Sequence, residues 1–285
     1  MKDLASMGAG PLLLCNAAMP EALMAAPGNF MGRECGDLIC GDLLVKGGKL
    51  AGFVSDGQET SALKFDLGGR IITPRLTEAH CHLDKCHTIG RLRSVGGDLA
   101  SAISLQREDR IRATRSDIGS RVERGLSELL AAGCDTVRSH VDWDSGVTPE
   151  GDAPAAWEVM NELGDEFGDD LQLQLSALLS LEDFERESYM EALARRLAHT
   201  GAALGVFVHN QARMLPLLQH VFRLADRFGL SLDFHVDEGL DPSLDGLQRI
   251  ADTVLEMHYE GPVLCGHACS LMNLSGDDLD SAVER

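Results

Sequence analysis

The feature that most constrains the fold is a regular alternation, from residue 71 onward, of short apolar segments with longer segments of helical periodicity. Several of the helical segments are followed at once by a glycine, where a helix typically ends. Strands that alternate with helices in this way predict βαβ units and a parallel sheet. The predicted strands cover residues 71–76, 136–141, 171–178, 203–208, 230–236 and 262–265.

The helical segments complete this pattern. A closed (β/α)8 barrel takes about 250 residues by itself, and only six of its eight strands are recognisable in this chain of 285 residues. The sequence therefore predicts an α/β fold, with an incomplete (β/α)8 TIM-type barrel of about six strands in residues 71–285. Residues 90–115 form a long connection of the kind often found in active-site loops. The predicted helices cover residues 118–132, 153–167, 181–198, 215–228 and 244–258.

Residues 1–70 have a different pattern, rich in glycine and short apolar runs. Two such runs, 42–45 and 50–54, flank the segment Lys46-Gly47-Gly48-Lys49. A Gly-Gly pair between two apolar runs is typical of a β-hairpin. We therefore predict a small β-rich unit, a partial β-sandwich, in residues 1–70 ahead of the barrel.

Three of the ten histidines, each near the end of a predicted strand, are candidate metal ligands. In extended chain the side-chain period is two, so His80 and His82 share a face and Cys81 points away. His235 ends the fifth predicted strand. If these faces point into a barrel, three imidazoles meet at its carboxyl end and can hold a divalent metal ion with an open position for water. The alternative is a half-buried strand whose histidines bond to the backbone.

Two further residues are candidates for catalysis. Glu238 lies three residues after His235, and a carboxylate beside a metal-bound water can move protons from the water to a leaving group. Its alternative roles are helix capping or simple solvation. His267 follows another predicted strand and can bond a hydroxide or a developing oxyanion, although a lone histidine is often a core residue.

Supporting roles are open for several polar residues near these strand ends. His140 and Asp142 follow the second strand and can support the metal ligands, or can form a local polar network. Asp84 can stabilise the loop after His82 or pair with Lys85 at the surface. His209 ends the fourth strand and can line a substrate pocket.

Charge and cysteine content exclude some classes of partner. The formal net charge is −20, from 45 acidic and 25 basic residues, so the average surface repels nucleic acid and anionic lipid. The eight cysteines form no CxxC pair, which indicates free thiols and a cytoplasmic protein. We expect no nucleic-acid partner and no membrane partner, since no segment reaches the 18 to 20 apolar residues, roughly, of a bilayer span.

Taken together, four motifs resemble the amidohydrolase superfamily, and specifically its cytosine deaminase branch. The order and spacing of the motifs fit along most of the chain. They are Glu78-Ala79-His80-Cys81-His82-Leu83-Asp84-Lys85, Val137-Arg138-Ser139-His140-Val141-Asp142, His235-Val236-Asp237-Glu238 and Gly266-His267.

This resemblance implies one divalent ion, iron or zinc, held by His80, His82 and His235. It also implies that Glu238 is the proton shuttle and that His267 polarises the attacking hydroxide or the intermediate. The implied reaction is hydrolysis of a C–N bond in a cyclic amidine such as cytosine, with release of ammonia. The implied partner is this small molecule, and the resemblance leaves homo-oligomer formation open.

Two departures of the chain from the branch each favour an alternative function. Ser180 stands where a pyrimidine-binding glutamine is usual, which favours an amidohydrolase for a triazine or another ring. The aspartate that ends the eighth barrel strand has no counterpart. Its absence favours a truncated, catalytically inactive metal-binding fragment, or an interaction partner of a full-length homologue.

Overall fold

The computed structural model describes residues 10–25, 32–55, 61–92, 98–143, 153–241 and 243–284. The chain divides into two compact units, Met1–Arg75 and Leu76–Arg285. The first contains a five-stranded sheet and the second a six-stranded parallel sheet with helices, so the predicted α/β class is confirmed. Among the described residues, no helix is long and apolar enough to cross a membrane.

The first unit is built on strand β3, which pairs with β1, β2 and β4, while β1 also pairs with β5. The predicted hairpin is confirmed between β3 and β4. Its turn residues Gly47 and Gly48 have φ of 56° and 73°, and positive φ at both positions defines the type I′ turn that suits a twisted hairpin. The strands are β1 (Leu12–Pro20), β2 (Arg33–Cys35), β3 (Leu38–Lys46), β4 (Lys49–Val54) and β5 (Leu63–Asp66).

The second unit is a parallel sheet in which each strand pairs with the next one along the chain. Apolar side chains from the strands and the surrounding helices form one large core. The strands, in their order across the sheet, are β6 (Leu76–Cys81), β7 (Cys134–Asp142), β8 (Gln172–Ser180), β9 (Ala203–Val208), β10 (Leu232–Val236) and β11 (Val263–His267).

Helices connect these strands in the βαβ order predicted. The predicted helix at 181–198 is interrupted, since a 3-10 turn at Leu181–Glu185 precedes α4. The helices are α1 (Leu99–Arg112), α2 (Arg115–Ala131), α3 (Ala155–Phe167), α4 (Glu187–Leu197), α5 (Met214–Phe228), α6 (Gly246–Met257) and α7 (Asp277–Val283).

The prediction for the first barrel strand was wrong by five residues, because β6 begins at Leu76 and not at residue 71. The apolar residues Ile71 and Ile72 belong instead to the sheet of the first unit. Ile71 forms a parallel bridge with Ala18, and the Ile72 N–H donates to the Ala18 carbonyl over 2.8 Å. The later start places His80 inside β6.

The connection between β6 and α2 was predicted as a loop, but it contains helix α1. Asp98 caps this helix by accepting a hydrogen bond of 2.8 Å from the Ser101 N–H. The apolar residues of α1 do not lie on one face, and Asp109 is its only buried residue among those described. The spacing of apolar residues in the sequence therefore does not predict this helix.

The six-stranded sheet curls until its first and last strands meet at their carboxyl ends. The ring of His80, on β6, lies 4.8 Å from the ring of His267, on β11. Gly266 lies so close to His80 that a Cβ atom on it would be 2.6 Å from the His80 Nδ1 atom. The carboxyl ends of all six strands therefore surround one small region.

Candidate metal centre

Strand register brings four histidines into this region. Cys81 pairs with Ser139 across β6 and β7, and the alternation of side chains then directs His80 and His140 to the opposite face, inside the barrel. His82 follows β6 on the same side, and His235 lies on β10. The Cys81 thiol points away from the histidines, as expected, and donates to the Arg138 carbonyl over 3.4 Å.

These four imidazoles, His80, His82, His140 and His235, form a compact cluster. When one nitrogen is taken from each ring, these four nitrogens all lie within 4.8 Å of one another. The Nε2 atoms of His82 and His235 are only 3.0 Å apart, and the His80 ring centroid is 4.4 Å from those of both His140 and His235. The cluster thus contains His140, which the sequence analysis treated as a possible support.

Most of the ring nitrogens in the cluster have no protein partner. His80 Nδ1 and Nε2, His82 Nδ1 and His235 Nδ1 are buried and make no hydrogen bond to any described residue. Burial lowers the pKa of His80 to about 4, and repulsion from His140 and His267 adds to this shift. Burial also lowers the pKa of His82 and of His235. At neutral pH these rings are uncharged, and neutral imidazole is the form that binds a metal.

The geometry and the donor atoms of the cluster fit a divalent cation that binds nitrogen ligands well, such as zinc. Two nitrogens that bind one zinc ion at about 2.0–2.1 Å in tetrahedral geometry are about 3.3 Å apart, close to the separation of 3.0 Å between His82 Nε2 and His235 Nε2. Imidazole donors suit zinc and iron among the common metals. A cation here would also satisfy buried nitrogens that otherwise lack a partner.

Glu238 and His267 face each other at the edge of the cluster. Glu238 Oε2 lies 3.6 Å from His267 Nε2, and both side chains are about one quarter exposed, at 28% and 24%. The His267 ring is 4.8 Å from the His80 ring and 5.0 Å from the His235 ring. A carboxylate and an imidazole therefore adjoin the cluster at its solvent-facing side.

The Asp237 side chain connects the loops that carry Glu238 and His267. Its carboxylate accepts hydrogen bonds from the backbone N–H groups of Gly246 and Leu247, at the start of α6, and from the Ser270 hydroxyl. Its φ of 51° is left-handed, which a short polar side chain tolerates best. Asp237 thus ties the loop after β10 to the loop after β11.

Comparison with known proteins adds to this geometry. No family model matches the chain. A pterin deaminase from Rhizobium rhizogenes is 28% identical over 265 residues, which cover 92% of this chain and 59% of that protein. N-isopropylammelide isopropyl amidohydrolase from a Pseudomonas species is 26% identical over 259 residues, which cover 86% of this chain and 60% of that protein.

A solved structure shows the same fold. The 5-methylcytosine deaminase from Klebsiella pneumoniae, liganded with 5-fluorocytosine, superposes with a TM-score of 0.70 and 22% identity, over 96% of this chain and 62% of that one. The names of these relatives, deaminases and an amidohydrolase, agree with the resemblance carried by the sequence motifs. The chain spans about three fifths of the length of the two curated relatives.

Asp84 and Asp142, the expected supports, lie beside the cluster rather than in it. The Asp142 carboxylate binds Lys85 at 2.8 Å and Arg110 at 3.1 Å. Asp84 is buried, which raises the pKa of its carboxyl to about 6, and its Oδ2 atom is 3.5 Å from the Asp142 N–H. Through these contacts both residues hold the loop that follows His82.

Ser180 and His209 also end barrel strands but lie outside the histidine cluster. Ser180 forms a capping box with Asp183 at the 3-10 turn, and its hydroxyl bonds to Glu182. His209 is exposed, and its ring stacks on Phe207 with the centroids 6.1 Å apart. Both residues stay candidates for substrate contact, which only a bound substrate would test.

Sequence reasoning missed Asp233, which is fully buried below the cluster. Its Oδ1 atom lies 3.0 Å from His140 Nε2, and its Oδ2 atom accepts from Arg138 over 2.9 Å. The available signal was its position two residues before His235 in a strand, which puts both side chains on one face.

Gly266 provides a direct test of how closely the two ends of the sheet must approach. Its replacement by alanine places a methyl group where the His80 ring now lies. We expect the displaced ring to weaken metal binding at least about 10-fold, the usual lower limit when the orientation of a ligand is lost. Competition with a chromophoric chelator measures this change.

The matched control for this substitution is Gly119→Ala, on α2. A Cβ atom there makes only an ordinary contact of 3.8 Å with Val159, so metal affinity should be unchanged. Wild-type affinity in the Gly266→Ala protein would show that His80 is not held where the structure places it.

Proposed function

We propose that this chain forms the metal-binding part of a hydrolase that removes an amino group from a nitrogen heterocycle. The observation that carries the proposal is the convergence of His80, His82, His140 and His235 beside the Glu238–His267 pair, with buried ring nitrogens that make no hydrogen bond to any residue the structure describes. The proposed ligands are His80, His82 and His235, with His140 as a fourth imidazole. The proposed ion is iron or zinc.

A divalent ion held by these imidazoles would act as a Lewis acid and lower the pKa of a bound water molecule. Glu238, whose side chain is partly exposed beside His267, would take a proton from the attacking water. As the oxygen adds to the ring carbon of the C=N bond, Glu238 would pass the first water proton to the ring nitrogen, which gives a tetrahedral carbon that bears a hydroxyl and an amino group. Glu238 would then move the hydroxyl proton to the amino group, the C–N bond would break, and ammonia would leave as the ring carbonyl forms.

We assign His267 an assisting role in this transfer. Its Nε2 atom contacts Glu238 and its ring adjoins His80 and His235. A donor at this position can stabilise the oxygen as negative charge develops on it. In this mechanism His267 stabilises the oxygen and Glu238 moves the proton.

The proposed substrates are amino-substituted nitrogen heterocycles. The curated relatives named for pterin and N-isopropylammelide support this class. The cytosine expected from the sequence belongs to it as well, as do the triazines. We include a cytoplasmic location and the absence of nucleic-acid and membrane partners in the proposal, on the grounds of free thiols and strong negative charge.

A second candidate function is metal binding without turnover by this chain alone. The observation that favours it is the composition of the cluster, which consists, among the described residues, of four imidazoles without a carboxylate. Such a chain would act together with a longer homologue.

Metal analysis combined with an activity panel tests both candidates. The purified chain is loaded with zinc or with ferrous iron and assayed for ammonia or amine release from pterin, cytosine and N-isopropylammelide. We expect one ion per chain and release from at least one ring. One bound ion without turnover would favour the second candidate, and no bound ion with either metal would contradict both.

A further inference from the structure

The barrel interior below the histidine cluster is polar. Barrel interiors are usually filled by branched apolar side chains, but here Arg138, Gln174 and Asp233 occupy the layer next to His140. Arg138 Nε donates to Gln174 Oε1 over 2.8 Å, and the Gln174 amide donates to the Gly201 carbonyl over 2.8 Å. A continuous chain of contacts therefore runs from Gly201 to Asp233.

Asp233 ends this chain directly under the cluster. Its side chain is fully buried, and a buried carboxylate is costly unless it is paired. Arg138 pairs with its Oδ2 atom at 2.9 Å. The other oxygen, Oδ1, lies 3.0 Å from His140 Nε2, but the two atoms are not aligned as a hydrogen bond, and neither has another partner among the described residues.

His140 thus stands between two acceptors. Its Nδ1 atom is 3.3 Å from the Cys81 carbonyl oxygen, and its Nε2 atom faces the Asp233 carboxylate. A neutral imidazole has only one N–H group to donate. If Nδ1 carries the proton, the lone pairs of Nε2 and Oδ1 repel each other, and a cation beside them removes this repulsion.

We propose that Asp233 is a positioning residue for the metal site, which acts through His140. This inference rests on the proposed function. The carboxylate contacts His140 Nε2 at 3.0 Å and so fixes the orientation of the His140 ring within the cluster. Arg138 and Gln174 hold the carboxylate in place from below. Carboxylates that orient a metal-binding histidine in this way strongly affect metal affinity.

A double-mutant cycle on Asp233 and His140 tests this inference. Asp233→Asn keeps the shape of the side chain but removes its charge, and we expect metal affinity to fall about 10- to 100-fold. In the His140→Ala background the same substitution should have no further effect, because its route to the metal is gone. Affinity is measured by chelator competition, and the absorption spectrum of the cobalt-loaded protein reports the ligand geometry.

The matched control is Asp109→Asn, which removes another buried carboxylate paired with an arginine, at 2.7 Å from Arg91. It should leave both affinity and spectrum unchanged. If Asp233→Asn does not fold, Arg138→Lys loosens the carboxylate without a change in charge. We expect a smaller loss of affinity from it, which should again vanish in the His140→Ala background.

The outcomes separate the inference from the proposed function. A wild-type chain that binds no zinc, iron or cobalt would overturn the proposed function. A wild-type chain that binds metal, with full affinity and an unchanged cobalt spectrum in the folded variants, would overturn the inference alone. Losses that multiply in the double mutant would also overturn it, since Asp233 would then act by a route other than His140.

Discussion

Replacement of His235 by alanine should abolish specific metal binding by this chain. His235 is 3% exposed, and its Nε2 atom is 3.0 Å from His82 Nε2 at the centre of the cluster. Loss of a residue that only supports a ligand weakens metal binding roughly 10- to 100-fold, and loss of a direct ligand should weaken it more. Metal bound only to the folded state also stabilises it, by about 4 kcal/mol at a concentration 1,000 times the Kd.

Two measurements check this prediction. Chelator competition gives the affinity, and the melting temperature of the wild-type chain should rise with added zinc while that of the variant should not. The matched control is His199→Ala, because His199 is exposed and precedes β9 at the opposite end of the barrel. A His235→Ala protein that keeps wild-type affinity would place the ion elsewhere.

Replacement of Glu238 by glutamine should lower kcat by about 10²- to 10⁴-fold, the usual contribution of a positioned acid–base group. Glutamine keeps the size of the side chain but cannot accept and return a proton. Glu238 is outside the four-imidazole group, so metal content should stay at the wild-type level. The assay is ammonia release from whichever heterocycle the wild-type protein hydrolyses.

Metal content separates a catalytic effect from loss of the site. The control Glu256→Gln lies on α6 and is exposed, so its kcat should match the wild type. Unchanged kcat in the Glu238→Gln protein would assign proton transfer to another group. A parallel loss of metal and activity would instead make Glu238 part of the metal site.

Local patterns predicted the parts of the site that depend on neighbours in sequence. The spacing of His80 and His82 is enough to put both on one face of extended chain. The spacing of His235 and Glu238 is enough to suggest that a strand ends between them, and β10 does end at Val236. The βαβ order likewise follows from alternating segments whose own composition specifies strand or helix.

Other features depended on partners distant in sequence and were misjudged. Ile71 and Ile72 are as apolar as a barrel strand, but their hydrogen bonds go to Ala18 in the first sheet. Helix α1 lacks an apolar face, so the spacing of its apolar residues does not predict a helix. In each case the composition allows two structures, and packing against another segment selects one.

Sequence alone therefore determined the fold class and the identity of three proposed ligands, because strand alternation and short motif spacing are properties of the local chain. Tertiary structure decided that His140 joins them and that Asp233 lies beneath it, since this depends on the curl of the sheet, which brings the unpaired strands β7 and β10 close together. These two residues are 93 positions apart in the numbering, 140 and 233. Only the curl of the sheet brings such distant side chains within reach of one cation.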